Sequence, residues 1–152
     1  MRAFIHCLKG DVRRGAEVLA DALTVFKSIQ INCWSHVLET AAAWASMTGR
    51  FELAAEFLGS AHRIREDTGD KPRPWERAVQ DVWLPKIGAS LDSEVFNAAH
   101  RRGMQRPFGN ALDFAERELR AALGCGPAGP SEIVDSPASP CTASNGKQRH
   151  PD

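Results

Sequence analysis

GRFELAAEFLGSAHRIREDTGD, residues 49–70, decides the reading of the whole chain, because its first part is written a second time at an offset of 39 residues. Setting Gly10 on Gly49 superposes Ala16 on Ala55, Glu17 on Glu56, Leu19 on Leu58 and Ala22 on Ala61. It also places Val12 opposite Phe51 and Gly15 opposite Ala54. Self-similarity at a period of about 20 to 50 residues marks stacked repeats, in which one supersecondary unit cannot bury its apolar face alone. Each copy runs glycine, apolar, small, leucine, alanine: Gly10, Val12, Gly15, Leu19, Ala22, then Gly49, Phe51, Ala54, Leu58, Ala61. A glycine supplies the irregular turn between two antiparallel helices, and the small residue lets the second helix lie close against the first.

This spacing resembles the second-helix pattern of the tetratricopeptide repeat, with a period about five residues longer than the usual 34. The expected fold is therefore all-α: antiparallel helix-turn-helix repeats of a tetratricopeptide-like solenoid, with about six to seven helices. Residues 1–8 read as the end of a helix whose beginning is missing, so the first repeat is expected to be truncated. Residues 11–29 carry two apolar stripes, Val12, Ala16, Leu19, Leu23, Phe26 and Val18, Ala22, Val25, Ile29, as a helix covered on two sides requires. Asn32 suits the cap of a third helix, with Trp34, Val37, Leu38, Ala41, Ala42 and Ala45 inward and Gly49 as its stop.

In the second copy His62 and Arg65 stand where the first has Leu23 and Phe26, so the far end of that helix is expected to face water. Gly69 ends it, and Pro74 opens a fifth helix whose apolar register, Trp75, Ala78, Val79, Val82, Trp83, Ile87, Leu91, runs on past Pro85. A kinked helix is expected there rather than two. Asp92 caps a sixth, which Gly103 ends, and Pro107 opens a seventh with Phe108, Ala111, Leu112, Ala115, Leu119 and Ala122 inward. Two regions result, a helical repeat domain over residues 1–124 and a Pro/Ser/Gly-rich tail over 125–152, expected to be disordered because it offers too few apolar residues to offset ordering entropy.

Composition narrows function by exclusion. Of 152 residues, 19 are Lys or Arg and 19 Asp or Glu, so no net field draws the chain to nucleic acid or an anionic membrane. No apolar run approaches the roughly 18 residues of a membrane span, and the N-terminus is too short in apolar residues for a signal peptide. The four cysteines lack paired spacing, which fits reduced thiols and a cytoplasmic setting.

The order of parts, AAEFLGSAHRIREDTGD, then a proline-started charged helix, then SEVFNAAHRRGM and a last amphipathic helix, resembles the C-terminal helical region of bacterial LuxR-type and MalT-like ATPase-linked transcriptional regulators. The matching positions are Ala54, Ala55, Leu58, Gly59, Ala61, Arg65, Gly69, Phe96, Ala99, Gly103, Ala111 and Ala115. The resemblance implies a scaffold in regulatory signalling. No phosphate-cradling Gly-rich loop and no helix pair for a DNA groove is present, so a stand-alone fragment of such a regulator is expected.

Chemistry-bearing motifs are sparse. Cys33 and His36 make half of a zinc site, without a second pair close in sequence, and no metal or cofactor is expected. His100, Arg101, Arg102 and Arg106 form one basic cluster, explained by cations at a helix C-terminus. His62 with Glu66, or Cys7 with His6, lacks the third group that would orient a base on a nucleophile, so an enzyme is not expected. Two readings stay open: a module offering a groove to a protein or peptide, and a sensor whose tryptophans, Trp34, Trp44, Trp75 and Trp83, line a pocket for a small effector. Leu23, Phe26 and Trp44 are the candidate interaction surface. Since residues 1–8 can cover only part of the helix after them, self-association through this N-terminal edge is also expected.

Overall fold

The computed structural model describes residues 2–29 and 34–124. These form seven helices: α1 (Arg2–Leu8), α2 (Val12–Ile29), α3 (Trp34–Met47), α4 (Phe51–Thr68), α5 (Pro74–Ser90), α6 (Ser93–Met104) and α7 (Phe108–Ala122). There is no strand among the described residues. Asn32, Cys33 and the whole of 125–152 lie outside them, so the expected cap, the cysteine of the Cys33–His36 pair and the expectation of a disordered tail fall outside the described residues.

The two similar stretches each form the second helix of a helical hairpin, α2 against α1 and α4 against α3. Gly10 and Gly49 stand just before α2 and α4 with φ of 82° and 76°, a left-handed conformation that costs an L side chain about 1 kcal/mol or more. Gly15 faces α1 so closely that a Cβ there would meet the Cys7 sulfur and the Ala3 carbonyl. Its counterpart Ala54 is fully buried, as are Leu19, Leu58 and Ala61, while Ala22 and Phe51 are half-buried. The small residue is thus what brings each hairpin together.

Burial also raises the Cys7 thiol to a pKa of about 11. In the folded chain Cys7 should therefore alkylate at pH 8 on the order of a hundredfold more slowly than in urea, a difference that mass mapping of labelled peptides reads directly.

α3 is the centre of the molecule. Residues from Val37 through Ser46 are buried without interruption, which happens when neighbours cover a helix all round. α1, α2, α4, α5 and α7 all pack on it. Trp44 is buried for that reason, although it lies off the Leu38, Ala41, Ala45 stripe, and its Nε1 donates to the Val12 carbonyl at 3.1 Å.

The expected uncovered N-terminal edge is corrected by α7, which returns across the molecule to lie along α2. Lys27 of α2 reaches Asp113 and Glu116 of α7 at 2.5 Å each, and Thr24 donates to Glu116 at 3.0 Å. Leu19 and Leu23 are consequently sealed, Leu23 at 0 % exposure, and Phe26 is half-buried against the edge of Trp34. Leu23 and Trp44 therefore present no surface to a partner, and the Leu19 and Leu23 part of the edge invoked for self-association is covered from within the chain, while Ile5, Leu8 and Val25 of α1 and α2 stay exposed.

α5 is continuous through Pro85, as its register requires, and Ser46 of α3 ties to it by donating to the Trp83 carbonyl at 3.3 Å. Its face differs from expectation: Trp83 and Ile87 are buried, but Trp75, Ala78 and Val82 point outward. The inward place beside Trp83 and Ile87 is taken by Glu76, for a reason that lies in α4. Asp92 caps α6 by accepting from the amides of Glu94 and Val95, both at 2.9 Å. Gly103 does not end α6; it lies inside the helix, buried against α4.

Candidate functional site

Arg65 occupies the register position of Phe26 in the first copy, and the expectation that it faces water is overturned. It is 7 % exposed, held between α3, α4 and α5. Its Nε and Nη2 donate to the two carboxylate oxygens of Glu39 at 2.9 and 3.0 Å, a bidentate pairing that the planar guanidinium favours. Nη2 also donates to Glu76 at 3.1 Å and Nη1 to Asp70 at 2.9 Å. Glu76 in turn accepts from the Arg73 amide at 2.7 Å, which caps α5 and fixes where that helix starts. Ser35 donates to Asp70 at 3.1 Å.

One cation thus serves three carboxylates, two of them buried. Burial raises the Glu39 carboxyl above the ordinary value even though Arg65 pulls the other way. Burial likewise opposes the charge on Arg65, but its hydrogen bonds to Glu39 and Glu76 hold its pKa above the usual value. His36 stands 3.9 Å from Glu76 and packs edge-on to Trp75, its ring centroid 5.0 Å away.

Beside this cluster a cleft of about 450 Å³ opens, lined by Glu39, His62, Arg65, Glu66, Asp70, Lys71, Gln80, His100 and Met104. Across it His62 Nδ1 of α4 and His100 Nε2 of α6 are 2.9 Å apart. Their closeness follows from how nearly the two helices touch: a Cβ at Gly59 would fall on the His100 carbonyl, and one at Gly103 on the Glu56 carbonyl. The ring of Phe96 stacks on His100 at 5.8 Å and sets its orientation.

The basic cluster is dispersed by pairing. Arg102 lies 3.4 Å from Glu52, while Arg106 pairs with Glu56 and stacks on Phe114 at 3.8 Å. Of the tryptophans, Trp83 is buried like Trp44, and Trp34 is half-buried between Phe26 and Phe108. Neither the cleft above nor a second of about 420 Å³ beside Phe108 has a tryptophan in its wall. The sequence named His62, Glu66 and His100 without joining them across the helices, and it did not single out Glu39 or Glu76. The one signal for such a cluster was the arginine standing in an apolar register.

Burial lowers the pKa of His36, His62 and His100 below the ordinary histidine value. The unfolded chain then binds more protons than the folded one, so stability is fully present above about pH 6.5 and falls as pH drops below it. Glu39, raised, acts in the opposite sense, but only around and above the carboxylate range near pH 4.5. Urea midpoints should therefore decline between about pH 7 and pH 5.5, and replacing His62 by Gln should flatten that decline.

No helix among the described residues is long and apolar enough to cross a membrane. Comparison with protein-family models, with curated proteins and with solved structures finds no match for the chain.

Proposed function

We propose that the chain is a protein-interaction scaffold that presents the outer face of α5 to an amphipathic, acid-flanked helix of another protein. The observation that carries this reading is the stripe Trp75, Ala78, Val82, Pro85, at alternating spacings of three and four residues on one side of α5. Trp75 is 38 % and Val82 45 % exposed, while the opposite side of the same helix is buried on α3 and α4. Helix-in-groove and helix-on-helix recognition use such a row of anchors, and tryptophan is enriched among residues that dominate binding energy.

Charge selects the partner. Arg73, Arg77 and Lys86 are exposed along the stripe and only Asp81 opposes them, and none of the four makes an ion pair among the described residues. An acidic flank on the incoming helix would meet them without displacing an existing bond. Regulatory signalling as the setting rests on the resemblance of the sequence to the helical regions of ATPase-linked regulators. The small-effector reading, as framed on a tryptophan-lined pocket, gains no support from where the tryptophans lie.

The test is selection of helical peptides from a random displayed library, followed by affinity measurement on Val82→Glu and Trp75→Ala chains. Acid-rich amphipathic peptides that lose roughly tenfold or more on Val82→Glu are the expected outcome. Ligands indifferent to both substitutions would place the interaction surface elsewhere. Since Val82 is exposed, the substitution should leave the helical circular dichroism unchanged.

A further inference from the structure

We propose that His62 and His100 are a paired-imidazole site for a late first-row divalent metal ion, with Glu66 as an additional oxygen ligand. Imidazole nitrogens bind such ions at about 2.0 to 2.1 Å, so two of them sharing one ion in adjacent positions stand about 3 Å apart. His62 Nδ1 and His100 Nε2 are 2.9 Å apart already. That separation suits two neighbouring positions of a square-planar or octahedral ion, copper(II) or nickel(II). Tetrahedral zinc would require the nitrogens to part by a few tenths of an ångström.

Three further features prepare the pair. The rings belong to helices locked backbone to backbone at Gly59 and Gly103, so closing on an ion costs little ordering entropy. Binding needs no proton to leave: the proton now shared between the facing nitrogens moves to the far nitrogen of its own ring, and both lone pairs turn to the ion. Access is through the 450 Å³ cleft that both rings line.

Glu66 lies one helical turn after His62, lines the same cleft, and acts by its charge on both histidines. No group of three His, Cys, Asp or Glu side chains among the described residues already surrounds one point. Glu66 must therefore turn inward, with water completing the shell. Arg65 and Lys71, which also line the cleft, are the nearby charges that oppose a cation, and Arg65 is compensated by Glu39, Glu76 and Asp70.

Titrating the full chain with nickel(II) at pH 7.5 in a calorimeter, beside the nuclear magnetic resonance spectrum of the histidine rings, tests this. Expected are one site, a loss of roughly tenfold or more in affinity on His62→Ala or His100→Ala, a smaller loss on Glu66→Gln, and none on His36→Ala. Paramagnetic nickel should broaden the ring signals of His62 and His100 first, a readout on the unmodified chain that stands even if a variant fails to fold. Equal binding by the His62→Ala, His100→Ala double variant, or broadening that begins at His6, His36 or His150, would overturn the site. So would the absence of binding at millimolar nickel.

Discussion

Replacing Arg65 by methionine should destabilise the chain by about 3 to 5 kcal/mol, because it leaves Glu39 and Glu76 buried without a cation. The guanidinium makes four hydrogen bonds to three carboxylates, all between 2.9 and 3.1 Å. Taking it away strands two negative charges in the gap between α3 and α5, where they must either be hydrated by opening that gap or take up protons. The second route gives the loss a signature in pH. The variant should recover much of its stability as pH falls toward 5, whereas the native chain, with three histidines whose pKa burial lowers, loses stability over the same range. Urea denaturation at pH 7.5 and pH 5 measures both. A double change, Glu39→Leu with Arg65→Met, should cost distinctly less than Arg65→Met alone, since well-packed apolar groups can replace a buried pair almost without loss. If Arg65→Met cost under about 1 kcal/mol at both pH values, the cluster would be open to water and not a structural element.

The cluster also shows where reading the sequence succeeds and where it stops. Gly10, Gly49 and Gly69 were legible as turns because a left-handed φ has a local cause, and all three have it. Asp92 was legible as a cap, and the unbroken register across Pro85 as one helix, for the same reason. Arg65 was not, because its partners lie 26 and 11 positions away and helical periodicity assigns a charged residue to water unless a partner is known. The return of α7 to α2 was equally hidden. Its amphipathic pattern fixes that it must bury one face, but not on which helix, and Lys27 with Asp113 is a pair 86 residues apart. The expectation of an uncovered edge at Leu23 followed from treating the repeats as an open row. His62 and His100 were read separately for the same lack of long-range information.

Gly59→Ala and Gly103→Ala should each cost about 2 to 3 kcal/mol, although alanine is the better helix former by about 1 kcal/mol. Both sites belong to a small-x-x-x-small pair, Ala55 with Gly59 on α4 and Ala99 with Gly103 on α6, and all four residues are buried. That spacing puts two small residues on one face and lets helix backbones approach, a device best known from membranes but geometric in origin. Here the approach leaves no room for a methyl group: at Gly59 it would land on the His100 carbonyl, and at Gly103 on the Glu56 carbonyl and within 2.8 Å of the Ser60 nitrogen. Backbone atoms cannot swing aside as a side-chain tip can, so α6 must move bodily, taking with it the Ser60 bond to the Gly103 carbonyl and the His62–His100 contact. Gly88 supplies the control within the same protein, since a Cβ there meets nothing and the residue lies exposed inside α5. Gly88→Ala should stabilise by about 0.5 to 1 kcal/mol through propensity alone. The double variant Gly59→Ala, Gly103→Ala should cost clearly less than the sum of its parts, because once α6 has shifted for the first methyl the second finds space already made. Strict additivity would mean that each glycine is constrained by a separate neighbour and that the two helices do not share one close crossing.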